Sequence, residues 1–182
     1  MSSAIGFVGL GVMGAPMAGH LLRSGHDVAV WARNPEQTRS LSEQGARLVA
    51  TLEELGEQCD AVFLCVNRTE DVEECIGRLT ARAPMGRLFV DHSTISVEGA
   101  RGIHRRLEGK HLFLDAPITG GSMGARNGSL TIFCGGSAEA FAAAEPYLRA
   151  YSKRAELVGG AGAGQMMKVV NQIAVAGSLL AL

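Results

Sequence analysis

The stretch from Ile5 to Arg33 constrains this chain more than any other. Ile5-Gly6-Phe7-Val8 leads into Gly9-Leu10-Gly11-Val12-Met13-Gly14, then an amphipathic run, then Val28-Ala29-Val30-Trp31-Ala32-Arg33. The first apolar run suits a strand buried on both faces of a parallel sheet. Met13, Met17 and Leu21, with Ala18 and Leu22, recur at four-residue spacing and place one helix face in a core. Pro16 fits only in a first turn, where N–H groups lack intrahelical partners, so the helix begins near Val12; Gly25 ends it. Strand, glycine turn, helix and strand in this order form a βαβ unit. Gly9 permits the tight turn, Gly11 lets a diphosphate approach the backbone, and Gly14 lets helix and strand pack closely. The unpaired N–H groups and positive dipole end of the helix favour phosphate. Glycine turns also arise for structural reasons alone, but with all flanking elements present the reading is a dinucleotide site.

The end of the second strand bears on which dinucleotide. A carboxylate there would bind a ribose 2′-hydroxyl, as in NAD sites. The chain has Ala32-Arg33-Asn34 instead. With no carboxylate to repel a 2′-phosphate, and with the planar donor fork of Arg33 available, NADP is favoured over NAD. A solvated loop cation is the plainer alternative for Arg33.

Composition sets outer bounds. A length of 182 residues allows one full domain with its own core. The net charge of −1, with both signs scattered, leaves no nucleic-acid footprint. No apolar run reaches transmembrane length, so no membrane partner is expected. Cys59, Cys65, Cys75 and Cys134 form no CxxC pair, and no basic-then-apolar leader opens the chain, so reduced thiols in a cytoplasmic protein are expected. The histidines lack metal-ligand spacing, and no metal is expected.

Downstream, strands and helices alternate, which predicts a doubly wound, mostly parallel α/β sheet. Asn34-Pro35-Glu36-Gln37 and Thr51-Leu52-Glu53-Glu54 read as capped helix starts. Ala61 to Val66 is a buried strand, and Val66 and Asn67 stand at its C-terminal edge, where open α/β sheets bind ligands. Thr69 is placed as the cap of a helix running to about Gly77. Leu88 to Asp91 is the next strand and leads into His92-Ser93-Thr94; Ser96 caps a helix to about Leu107. His92 is a candidate general base, although a hydrogen-bonded structural histidine is the commoner case. Leu112 to Asp115 opens into a glycine-rich loop, Ala116 to Gly128, in which the adjacent N–H groups of Gly120 and Gly121 can form an anion-binding concavity beside the Thr119 hydroxyl; an ordinary mobile loop is the plainer alternative. Ser129 to Cys134 is a strand, Gly135-Gly136 a turn, and Ser137 the cap of a helix to about Arg149.

The tail is the second informative region. A helix is expected from Gln165 to the end, with Lys168, Asn171 and Gln172 on one face, where they can donate to a carbonyl oxygen. Its remaining residues are apolar almost all round, as in a helix buried in protein. The expectation is that the chain is a fragment, or that a partner chain covers this helix.

Gly9 to Gly14 followed by Pro16-Met17-Ala18, then Asp115-Ala116-Pro117-Ile118-Thr119-Gly120-Gly121, then Gly162 to Gln172 occur in this order. Together they closely resemble the β-hydroxyacid dehydrogenase family, over the whole chain. The resemblance implies a Rossmann-type NADP-binding domain over residues 1–160, with residues 161–182 opening an interdomain helix. That helix would lead into an absent all-helical domain, which in the family completes the substrate site and the dimer, so a homo-oligomer is expected. It also implies roles. Lys168 matches the catalytic lysine, the general acid in carbonyl reduction. Asn171 matches a substrate-holding amide, and Gln172 stands beside it where many members have a second Asn. Thr119, Gly120 and Gly121 match the loop binding a substrate carboxylate, with Thr119 where many members have Ser. Ser93 and Thr94 match the segment beside the nicotinamide ribose, and Arg33 the 2′-phosphate reader. Tartronate semialdehyde reductases resemble the chain at Gln172. The implied activity is hydride transfer between NADP(H) and a small 3-hydroxy acid or semialdehyde. An imine reductase and a non-catalytic NADP-binding or oligomerisation module are the alternatives.

Overall fold

The computed structural model describes residues 4–180. In chain order the elements are β1 (Ala4–Val8), α1 (Gly14–Arg23), β2 (Asp27–Trp31), a 3-10 turn (Pro35–Thr38) leading into α2 (Arg39–Glu43), β3 (Arg47–Leu48), α3 (Leu52–Gln58), β4 (Ala61–Leu64), α4 (Thr69–Thr80) and β5 (Leu88–Asp91). There follow α5 (Val97–Leu107), β6 (Leu112–Asp115), β7 (Ile118–Thr119), α6 (Gly121–Asn127), β8 (Leu130–Gly136), α7 (Ala138–Leu148), β9 (Ser152–Gly159) and α8 (Ala163–Leu180).

The sheet order is β3-β2-β1-β4-β5-β6-β8-β7, with β9 also paired to β8. The first six strands in that order are parallel to their neighbours, whereas β8 runs antiparallel to both β6 and β7. The parallel register aligns Trp31, Val8, Leu64, Asp91 and Asp115 at one edge. That edge is where every motif of interest emerges. The strand order reverses at β1, between β2 and β4, which opens a crevice at the carboxyl ends of the strands.

Successive strand residues feed opposite faces, and both faces are apolar. Ile5 and Phe7 pack with Met17, Leu21 and Leu148 on the α1/α6/α7 side. Val8, Val62 and Phe89 pack with Leu55, Ile76 and Ile103 on the α3/α4/α5 side. Each large side chain buried in this way contributes about 1.5–3 kcal/mol. Three caps fall where the sequence places them: the side chains of Thr51, Ser96 and Ser137 accept from Glu54, Gly99 and Ala140 N–H, each bond supporting its helix by about 1 kcal/mol.

Several segments depart from the sequence reading. Ala116 to Gly128 is not a loop but the strand β7 and the helix α6. Tertiary packing overrides the poor helix propensity of its glycines: a Cβ at Gly124 would crowd Leu130, and His20 of α1 reaches the Ala125 and Arg126 carbonyls at 3.1 and 3.0 Å. Gly135 and Gly136 continue β8 instead of turning, paired with Asp115 and Leu114. Thr69 is the first residue of α4 and not its cap; its hydroxyl accepts from Ser96 N–H at 3.2 Å. The edge strand β9, largely polar and partly exposed, has no counterpart in the sequence reading. The tail helix starts at Ala163, two residues early, and the last two residues of the expected helix lie outside the described residues. Met166, Val169, Val170 and Ile173 of α8 are exposed. Among the described residues no helix is long and apolar enough to cross a membrane.

Candidate active site

The glycine turn lies across the crevice at β1. Gly9 has φ +88°, and a Cβ there would sit 2.1 Å from the Cys65 carbonyl oxygen. A Cβ at Gly14 would sit 1.9 Å from the Gly9 carbonyl oxygen. Around Gly11, by contrast, a Cβ would meet nothing within 4 Å. Gly9 and Gly14 are therefore demanded by the fold, and Gly11 by nothing inside the protein. An open backbone beside the start of α1 fits a bound diphosphate.

Two clefts adjoin this turn. One, of about 620 Å³, is lined by Gly11, Val12, Met13, Gly14, Val66, Asn67, Ser93, Thr94, Thr119, Gly120, Gly121, Lys168 and Gln172. The other, of about 370 Å³, is lined by Gly9, Leu10, Gly11, Arg33, Val66 and Asn67, together with Trp31, Asp71 and Cys75. The two share Gly11, Cys65, Val66 and Asn67. Every site residue expected from the sequence lines one or the other except Asn171. Asn171 stands beside the first cleft, its amide donating to Thr119 Oγ1 at 3.4 Å and to Gln172 Oε1 at 3.2 Å. The Leu10 side chain turns into the core, so this residue offers the clefts mainly backbone.

Lys168 Nζ donates to the Ile118 carbonyl at 2.8 Å, which holds the ammonium at the base of the larger cleft. Burial lowers its pKa below the ordinary lysine value. Next to its acceptor, Gly120 and Gly121 both adopt positive φ, +127° and +63°, a backbone that residues with side chains rarely take. The Ser93 Oγ accepts from Val66 N–H at 2.9 Å and ties two edge loops together, with its O–H left to donate.

His92 is structural. It is buried, with Nδ1 2.7 Å from the Ala116 carbonyl oxygen and Nε2 2.8 Å from the Tyr151 hydroxyl. Burial pulls its pKa down to about 4, so the ring is neutral. Burial also raises the thiols, Cys59 and Cys75 to about 11 and Cys65 and Cys134 to about 12, and all four are free.

One sequence inference needs correction. The end of β2 has no carboxylate in its own sequence, yet the structure brings one there: Asp71 of α4 lines the smaller cleft with Arg33. Its approach is non-local, and nothing in the residues around Arg33 signals it. Gln165 and Asp115 are likewise absent from the sequence-derived site, although both underpin it.

An open, mostly parallel sheet with a glycine turn at its switch point and paired clefts across that turn defines a dinucleotide-binding domain. The chain belongs to the family described as the NAD binding domain of 6-phosphogluconate dehydrogenase, matched over residues 4–160. An uncharacterized oxidoreductase of Shewanella frigidimarina is 41% identical over 95% of this chain and 61% of its own length. The 2-hydroxy-3-oxopropionate reductase of Escherichia coli strain K12 is 40% identical over 94% of this chain and 60% of its own length. The solved Mycobacterium tuberculosis 3-hydroxyisobutyrate dehydrogenase with L-serine superposes with a TM-score of 0.93 at 35% identity, over 97% of this chain and 61% of that one. These relatives agree with the β-hydroxyacid dehydrogenase resemblance carried by the three motifs. The chain spans about three fifths of their length.

Proposed function

We propose that the chain is the cofactor-binding part of an NADP-dependent oxidoreductase that interconverts a small 3-hydroxy acid and its semialdehyde. The observation that carries this reading is the placement of Lys168: one cleft holds its ammonium, the glycine turn and the Thr119–Gly121 segment. Gly9 to Gly14 and the start of α1 take the diphosphate, Arg33 the 2′-phosphate, and Val66, Asn67, Ser93 and Thr94 the nicotinamide end. When bound, the nicotinamide exchanges a hydride with the substrate's carbonyl carbon.

The protein's own part is binding and proton handling. Thr119, Gly120 and Gly121 anchor the substrate carboxylate, which orients the carbonyl. Lys168 Nζ gives its proton to the oxygen that becomes the hydroxyl and takes it back in the oxidative direction. A lowered pKa makes that transfer easier near neutrality. Asn171 and Gln172 supply amide donors on the same helix face. An imine reductase would have no carboxylate to anchor and no need of this lysine, so the Lys168 placement favours the hydroxy-acid reading. The cytoplasmic assignment rests on the four free thiols. Residues 1–160 are read as the dinucleotide domain and 161–182 as the start of a helix whose exposed apolar side chains meet further helical structure or a second subunit.

Turnover of NADPH with tartronate semialdehyde, and of NADP with 3-hydroxyisobutyrate, tests the reading in a full-length version that carries the helical part. Lys168→Ala is expected to lower turnover at least a thousandfold while NADPH affinity stays within about threefold. Unchanged turnover in that variant would remove Lys168 from the chemistry. Reduction of cyclic imines in place of both acids would move the protein to the imine-reductase alternative.

A further inference from the structure

Gln165 is 1% exposed and makes three hydrogen bonds to two other elements. Its side-chain Nε2 donates to the Ser93 carbonyl at 2.8 Å, and its Oε1 accepts from Ile95 N–H at 3.1 Å. Both partners belong to the turn that carries Ser93 and Thr94 into the larger cleft. Its backbone N–H donates to Asp115 Oδ2 at 3.0 Å. Asp115, fully buried at the end of β6, also accepts from Gly162 N–H at 2.8 Å and lies 3.1 Å from His104 Nε2. The slot around this carboxylate has no spare room: a Cβ at Gly135 would lie 2.7 Å from either Asp115 oxygen, and one at Gly164 2.8 Å from Oδ2.

The first turn of α8 is thus fixed at two points. Asp115 sets its height and direction against the sheet, and the Gln165 amide fixes it to the Ser93–Ile95 turn. Lys168 follows Gln165 by three residues, one helical turn. A side chain with one donor and one acceptor is required here, because the turn presents one carbonyl and one N–H to it.

We propose that Gln165 is a positioning residue for Lys168: its amide clamps the Ser93–Ile95 turn to the first turn of α8, so that the ammonium and the nicotinamide end of the cleft keep one fixed separation. The role rests on the reading of Lys168 as the proton donor. Gln165 is buried and lines neither cleft, and it acts through the helix.

Two variants test this. Gln165→Leu removes both side-chain bonds at nearly the same volume. Turnover is expected to fall at least tenfold, amide exchange at Ile95 to accelerate at least tenfold, and NADPH affinity to stay within threefold, since the diphosphate and adenosine contacts are elsewhere. Gln165→Glu separates positioning from packing. A protonated carboxyl offers one donor and one acceptor like the amide, whereas a carboxylate sets a second oxygen against the Ser93 carbonyl. The titratable groups around it are Asp115 of β6, with His104 of α5 on that carboxylate's other oxygen, and Asp91 of β5, whose Oδ1 accepts from Ser93 N–H in the clamped turn. Turnover and Ile95 protection in this variant are expected to approach the parent at low pH and to fall together as pH rises, by more than the change that Asp91 ionisation gives the parent over the same range. Folded Gln165→Leu with parental turnover, or Gln165→Glu with the parental pH profile, would overturn the proposal. A parent without turnover on either acid, assayed with the helical part that completes the substrate site, would instead overturn the functional reading, and in that case Ile95 exchange across the Gln165→Glu titration still decides whether the clamp exists.

Discussion

Arg33 Nη2 lies 3.8 Å from Asp71 Oδ1 across the mouth of the smaller cleft. Asp71 also receives a two-point contact from Arg68, Nε and Nη2 each at 3.2 Å, which is the main reason its carboxyl is held below the usual carboxylate range. Two guanidiniums therefore share one carboxylate, and the rim keeps a net positive charge. Arg33 is 75% exposed, so its contact with Asp71 is worth less than about 1 kcal/mol and leaves the fork available to an incoming phosphate. Arg33→Ala is expected to weaken NADPH binding at least tenfold, about 1.4 kcal/mol or more, and to leave NADH binding within twofold. Asp71→Asn is expected to tighten NADPH binding, because it removes the carboxylate that Arg33 and Arg68 share. Fluorescence titrations with both dinucleotides check this; equal losses for NADH and NADPH in Arg33→Ala would contradict it.

Two glycines of one motif are expected to fail differently. A Cβ at Gly14 would meet the Gly9 carbonyl at 1.9 Å, so Gly14→Ala must push α1 away from β1 and is expected to cost at least about 2 kcal/mol in a urea melt. Around Gly11 a Cβ has free space. Gly11→Ala is expected to leave the melt within about 0.5 kcal/mol of the parent and to reduce NADPH affinity at least tenfold. Retention of affinity in Gly11→Ala would show that the turn does not receive a diphosphate, and loss of stability that the fold itself demands this glycine.

Asp91 sets a pH dependence. It is fully buried, Oδ1 accepts from Ser93 N–H at 2.9 Å, and Oδ2 has no protein partner among the described residues. Burial pushes its pKa up to about 7, from an ordinary value near 3.8. A folded pKa above the unfolded one means that the native state holds the proton more tightly. The contribution to stability is then complete below about pH 4 and is lost as pH rises through 7, at up to about 1.4 kcal/mol per pH unit. Asp91→Asn cannot ionise. Its stability relative to the parent is expected to rise by about 2 kcal/mol between pH 5 and pH 8, measured by urea unfolding. A difference that does not change with pH would contradict the assignment.

What was legible in the sequence was local. The Ile5–Arg33 unit, the Ser96 and Ser137 caps and the buried strands follow from periodicity and capping chemistry, which need only neighbouring residues. Lys168 and Asn171 were legible from helical spacing together with the motif order. The missed features are non-local. α6 exists because Gly124 and Ala125 pack under Leu130 and His20, and β9 because β8 offers an edge. Asp71 reaches Arg33 from another helix, and Gln165 makes sense only once Asp115 and the Ser93–Ile95 turn surround it. His92 shows the converse case: a catalytic residue type in a site loop, whose two ring nitrogens are both taken by Ala116 and Tyr151.

On the function proposed above, the glycine turn and the two clefts across it bind a dinucleotide, with Arg33 selecting the 2′-phosphate. Titrating the protein with NADPH and, in parallel, with NADH tests this most directly. Saturable binding of NADPH, weaker binding of NADH, and loss of most of the NADPH affinity in Gly11→Ala are expected. Absence of saturable binding by either dinucleotide, or an NADPH affinity indifferent to Gly11→Ala, would contradict it.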